Sequence, residues 1–170
     1  MKVLKVFLVV IGVAAVGFLV TGLATPKEFR GQLSVKLPCS KVKIWDALSD
    51  IEHLPQHRKE ITKVEILGLS NKGYHRWKEY TGHDQYMIFE LTNQEYEKRM
   101  TVTMTESTFG MTGSWTYLLE GADSTSTNFT VIEDSKIDDL FVRAMVTMTG
   151  RGRFLKHEVS DVARQVGASQ

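Results

Sequence analysis

One cysteine, Cys39, in 170 residues rules out an internal disulfide and a cluster of thiolate metal ligands, and leaves the redox compartment open. Charge of one sign is also missing. The chain has 21 basic and 20 acidic residues spread along its length, a net charge of +1. That offers no footprint for a polyanion and argues against nucleic acid as the main partner. Spacing assembles no serine, cysteine or histidine nucleophile arrangement. The small polar residues of 121–127 are not followed by a helix N-terminus, so they read as a hairpin and not as a phosphate cradle. His53 and His57 stand four apart, as two metal-binding imidazoles on a helix do, but Pro55 interrupts the helix and no acidic partner follows. Neither a metal nor a cofactor is expected.

What the sequence does have is a long apolar run. Residues 6–24, VFLVVIGVAAVGFLVTGLA, are 19 in a row without a charge, long enough to cross a hydrocarbon core of ~30 Å. A cleaved signal peptide is the rival reading, because Gly22-Leu23-Ala24 resembles a small-x-small cleavage site. The run exceeds the usual apolar region of ~7–15 residues, which favours a retained single-pass anchor. Lys2 and Lys5 on one side oppose Lys27, Arg30 and Lys36 on the other, so basic residues do not fix the side of the membrane. The expected organisation is an anchor over 1–26 and one globular domain over 27–170, with a core of its own.

In that domain a strand over 29–37 ends at Pro38. Ser40 can cap a helix whose apolar positions Val42, Trp45 and Leu48 gather on one side, and a second short turn from Asp50 is interrupted at Pro55. Six candidate strands follow, over 62–69, 74–80, 85–92, 98–106, 114–119 and 125–134. Turn-like SNKG, TGHD, NQEYE, STFGMTG and EGADS separate them, which implies antiparallel hairpins. Alternation predicts inward sets Met87, Phe89 and Leu91; Met100, Val102 and Met104; Trp115 and Tyr117; Phe129 and Val131. From Ile137 a long helix carries Phe141, Met145, Met148, Leu155, Val159, Val162 and Val166 on one stripe. Gly150 and Gly152 predict a kink within it.

These residues, in this order, resemble a known family. P-x-S-x-V-x-x-W-x-x-L-x-D from Pro38 to Asp50, V-E-I-L-G from Val64, W-K-E from Trp77, G-x-W from Gly113, T-x-x-x-V from Thr127 and the final helix are similar to the START-related polyketide cyclase/dehydrase superfamily (SRPBCC). The resemblance covers nearly all of the chain from Arg30. It implies an α+β helix-grip fold, a curved antiparallel sheet wrapped around the final helix, with a cavity between them closed at one end by the two short helices. One departure is His57, where many relatives carry tryptophan.

Trp45 and Leu48 are expected to pack their helix onto the sheet, with Leu54 and Pro55 at the cavity rim. His75, Trp77 and Glu79 alternate onto one strand face. If that face is interior, Glu79 would be a buried carboxylate of raised pKa and a candidate for general acid or base chemistry; the favoured reading is that a nearby cation pairs with it or that it lies at the wet mouth. The expected ligand-binding set is Leu54, Trp77, Glu79, Phe89, Met104, Trp115, Phe129, Phe141, Met145 and Met148. Apolar lining candidates outnumber reactive groups, so the sequence favours a membrane-tethered domain that binds a hydrophobic small molecule or lipid. A cyclase- or dehydratase-type enzyme using Glu79 or a histidine is the alternative.

Overall fold

In the computed structural model, which describes residues 2–121 and 125–168, seven strands carry the architecture. They are β1 (Glu28–Leu37), β2 (Lys63–Leu69), β3 (His75–Tyr80), β4 (Tyr86–Glu95), β5 (Arg99–Ser107), β6 (Met111–Gly121) and β7 (Thr127–Ile137). All pair antiparallel in one sheet, in the order β1-β7-β6-β5-β4-β3-β2. Sequential hairpins build it from β2 to β7, and β1 returns to flank β7. Register shifts between Ile66 and Gly68, between Ile88 and Phe89, and between Leu91 and Asn93 break the regular ladder. Such bulges bend and twist strands, and they help curl the sheet into a concave face.

The period-2 reading holds most clearly in β7, where every second residue from Thr127 to Ile137 is buried. Strands β4, β6 and β7 run longer than expected. Asn93, Gln94 and Glu95 belong to β4, so the turn is confined to residues 96–98, with Glu97 at a φ of 55°. Met111, Thr112 and Gly113 belong to β6 instead of the turn before it. A Cβ on Gly113 would stand 2.7 Å from the carbonyl oxygen of Asp134, so this glycine lets β6 approach β7 closely. The turn expected over 120–124 begins inside β6, and its residues 122–124 lie outside the described residues.

Five helices complete the fold: α1 (Lys2–Ala24), α2 (Lys41–Ser49), α3 (Leu54–His57), α4 (Leu140–Thr149) and α5 (Arg153–Gln165). Ser40 caps α2 as expected, its Oγ accepting from the Lys43 amide at 3.4 Å. The buried face of α2 is Ile44, Trp45 and Leu48, whereas Val42 sits at the edge of that face and is exposed. Ile137 ends β7 and does not start a helix. The expected final helix is two helices, parted at Gly150, whose φ of 93° no helix accommodates.

That break changes which residues face inward. In α5 the predicted stripe is right: Leu155, Val159 and Val162, with Val166 just beyond, are all buried. In α4 it is not, because the break frees α4 to rotate its own face onto the sheet. Val146 and Ala144 are buried and Val142 is half-buried, while Phe141, Met145 and Met148 are 61%, 52% and 68% exposed. The last turns of α1 pack on α4. Phe18 stacks on Phe141 at 6.3 Å between centroids, and Gly22 is buried against Leu140. The buried Arg143 donates from Nε to the Gly22 carbonyl at 2.6 Å and from Nη1 to the Ile137 carbonyl at 3.3 Å. The rest of α1 is exposed and, apart from Lys5, apolar from Val3 onward. Its 22 residues Val3–Ala24 contain an 18-residue window with a mean hydropathy of 2.8, a character shared by membrane spans and signal sequences.

Candidate ligand-binding cavity

The concave face of the sheet and the two C-terminal helices enclose a cavity of about 460 Å³. Its floor is the inward set of four adjacent strands: Trp77 and Glu79 from β3, Met87 and Phe89 from β4, Val102 and Met104 from β5, Trp115 and Tyr117 from β6. Val142, Met145 and Val146 of α4 and Glu158 and Val162 of α5 cover it, and Leu48, Ile51, Leu54 and Arg58 close one end. Aromatic rings stiffen the floor. Trp77 stacks on Phe89 at 5.6 Å, and Phe89 meets Trp115 edge-on at 6.2 Å.

Polar groups converge at one place in this largely apolar wall. Arg58 donates to Glu158 and lies 3.8 Å from Asp161, and the Tyr117 hydroxyl donates to the same Glu158 oxygen at 2.8 Å. Trp77 Nε1 donates to Glu79 Oε1 at 2.8 Å. Burial is the main influence on Glu79 and raises its pKa, against the downward pull of the Trp77 hydrogen bond and the Arg58 charge. Burial likewise pushes the Tyr117 hydroxyl well above its usual value, with Glu158 adding to the effect. For Arg58, desolvation pulls downward, yet Glu158, Tyr117 and Glu79 outweigh it and hold the guanidinium charged. Asp161 is raised by burial and restrained by Arg58, and it also accepts from Arg164 at 2.8 Å.

Of the residues expected at a site, Leu54, Trp77, Glu79, Phe89, Met104, Trp115 and Met145 line this cavity. Three do not. Phe129 is fully buried in the core, stacked on Tyr117 at 6.2 Å, because the tyrosine lies between it and the cavity. Phe141 and Met148 point away on the outer face of α4, for the reason the Gly150 break supplies. Sequence reasoning missed Arg58, Glu158 and Asp161. A signal was present: Glu158 and Asp161 are interleaved with the buried Leu155, Val159 and Val162, which sets carboxylates beside an apolar stripe.

A second hollow of about 450 Å³ lies at the other end of the concave face, sharing Leu48, Ile51, Trp77 and Val102 with the first. Its rim is polar and includes His75 and His53, whose Nδ1 lies 2.6 Å from Asp50. His57 ends α3 and does not join His53 in a pair. Among the described residues no three His, Cys, Asp or Glu side chains gather as a metal site. A further buried carboxylate, Glu133 on β7, accepts from Ser135 at 2.6 Å and lies outside both hollows. Its other oxygen has no partner among the described residues.

No protein-family model and no curated protein matches the chain. Solved structures do. The Zhui aromatase/cyclase from Streptomyces sp. R1128 superposes with a TM-score of 0.65 at 14% identity, over 82% of this chain and 92% of that one. A START superfamily protein from Mycobacterium smegmatis gives a TM-score of 0.63 at 18% identity, over 81% and 97%. Norcoclaurine synthase from Thalictrum flavum gives 0.62 at 16% identity, over 86% and 90%. At these identities the likeness is one of fold, and it agrees with the seven-stranded antiparallel sheet and helices found here: the chain has the α+β helix-grip fold that these structures share.

Proposed function

We propose that the protein is a membrane-tethered domain that holds a hydrophobic small molecule or lipid in the cavity between sheet and helices. The observation that carries this reading is the cavity itself: some 460 Å³, walled by aromatic, methionine and aliphatic side chains, with polar groups convergent at one point. That is the usual make-up of a site for an apolar ligand with a single polar handle. Arg58, Tyr117, Glu79 and the Trp77 indole are the groups able to orient such a handle. The neighbours in fold support a small-molecule site, since the norcoclaurine synthase structure holds dopamine and hydroxybenzaldehyde.

The tether in this reading is α1, with residues 1–26 as a single-pass anchor and 27–170 as the ligand-binding domain. Carbonate-washed membranes should retain the full-length chain. Release into the soluble fraction, or a mature N-terminus at Thr25, would sink the anchor. Native mass spectrometry and solvent extraction of the full chain, purified in mild detergent, test the cavity. A stoichiometric apolar ligand is expected, and its absence together with no uptake of an apolar fluorescent probe would overturn the binding reading.

A second reading is an enzyme of the cyclase or dehydratase kind. The observation in its favour is Glu79, a cavity carboxylate with a pKa raised by burial, as proton-transfer catalysis requires. Two of the fold neighbours are named as an aromatase/cyclase and a synthase. Binding is preferred because Arg58, Glu158 and Tyr117, the polar groups gathered near Glu79, are engaged with one another.

A further inference from the structure

The outward face of α4 is apolar where a water-facing helix carries polar residues. Phe141, Met145 and Met148, at i, i+4 and i+7, are more than half exposed, and Phe154 at the start of α5 extends the patch at 45%. A continuous exposed patch of this kind marks a contact surface, and three observations identify what it contacts. The patch is continuous with α1, because Phe18 stacks on Phe141 and Thr147 donates to Thr25 at 3.2 Å, so the apolar surface of α1 runs on to α4. Two exposed basic residues, Arg153 and Lys156, flank Phe154 in the sequence of α5, the charge that anionic headgroups attract. Finally, Met145 and Phe154 belong both to the patch and to the cavity lining, so the cavity opens on this face.

We propose that α4 and the start of α5 lie in the headgroup region of the bilayer that α1 crosses, so that the cavity opens to lipid and not to water. This rests on the reading of α1 as an anchor. Phe18, Gly22 and Thr25 of α1 meet Phe141, Arg143 and Thr147 of α4 in order, so α4 runs alongside the last turns of α1 and its apolar face reaches deepest toward the acyl chains at Phe141. Phe141, Met145 and Met148 supply that face, while Val142 and Val146 remain turned to the cavity. The ligand class selected is a membrane-resident amphiphile that enters sideways from one leaflet, past Met145 and Phe154. It would bring its polar group to Arg58 and Tyr117 without crossing water.

The test uses the full chain in vesicles of phosphatidylcholine and phosphatidylglycerol. Single cysteines are introduced as Val10→Cys in α1, Met148→Cys on the outer face of α4 and Asn71→Cys in the β2–β3 turn. All three positions are exposed, and each variant carries an environment-sensitive fluorophore. The native Cys39 is buried and stays unlabelled in the folded protein. With brominated lipids, emission should be quenched at positions 10 and 148 and unchanged at 71. Quenching at 10 but not at 148 overturns the proposal and leaves the anchor standing, whether water or a second copy of the chain covers the face. Equal quenching at 148 and 71 overturns it as non-specific adsorption. No quenching at 10 removes the anchor, and this inference with it.

Discussion

Across one repeat of β3, the indole N–H of Trp77 donates to Glu79 at 2.8 Å, and both side chains are 5% exposed. Residues i and i+2 of a strand share a face, so local geometry makes the pair, and the indole supplies a donor without a charge. Trp77→Phe keeps an aromatic wall against Phe89 but leaves a buried acceptor unpaired. A loss of ~1–3 kcal/mol is expected, read from urea unfolding at unchanged slope. An unchanged midpoint would show that another group satisfies the carboxyl.

The raised pKa of Glu79 sets the sign of a pH effect. Its folded value lies above its unfolded one, mainly through burial, so the folded state holds the proton more tightly. The stabilisation is full below the unfolded value of ~4.3 and is lost as pH rises through the folded pKa. Glu79→Gln does not titrate, so its stability relative to the parent should improve as pH rises from acid to neutral, measured as unfolding midpoints across pH. A constant difference would place Glu79 in water in the folded state.

The same variant separates binder from enzyme. Glu79→Gln keeps shape and removes a base, so ligand affinity should stay within about tenfold, or ~1.4 kcal/mol, with neither form altering the ligand. A substrate converted by the parent and merely bound by the variant would establish the enzyme reading.

Arg58 is the counter-charge of the cavity, joined to Glu158 and close to Asp161. Arg58→Met should cost about 3–5 kcal/mol, because it leaves buried carboxylates uncompensated. The deficit should be largest at neutral pH and shrink on acidification, since Glu79 and Asp161, already raised by burial, rise further without it. Thermal melts across pH provide the measurement, and a pH-independent loss would point to packing alone.

Depth distinguishes two methionines. Met104 is 4% exposed on the cavity floor and Met145 is 52% exposed at the opening. Met104→Trp should occupy the cavity and lower equilibrium uptake of an apolar fluorescent probe, whereas Met145→Trp should slow entry with little effect on the amount bound. Stopped-flow and equilibrium titrations of both variants check this. Identical behaviour would show that ligand does not pass Met145.

Strand alternation made the sheet legible: the inward sets from Met87 to Val131 and the inward Glu79 all follow from a period of two. The helices were less legible. A stripe read through Gly150 carries the phase of α5 into α4, and the two phases differ because a residue at a φ of 93° ends one helix before the next begins. Phe141 and Met148 were misplaced for that reason, while Phe129 was placed on the right face but behind Tyr117, a depth that alternation does not encode. Arg58 escaped notice because its partners lie 100 and 103 residues away in sequence.

Only residues 25–27 connect α1 to β1, and they are held on several sides. The Thr25 amide bonds back to Thr21, Arg151 reaches the carbonyls of Pro26 and Glu28, and Lys27 pairs with Asp138 at 3.0 Å. A flexible linker lets a domain swing through a reach that grows with its length; this junction has no such slack. The cavity therefore keeps a fixed bearing on the axis of α1, and the domain cannot exchange orientation for distance. The direction in which the cavity faces is set by how α1 is held.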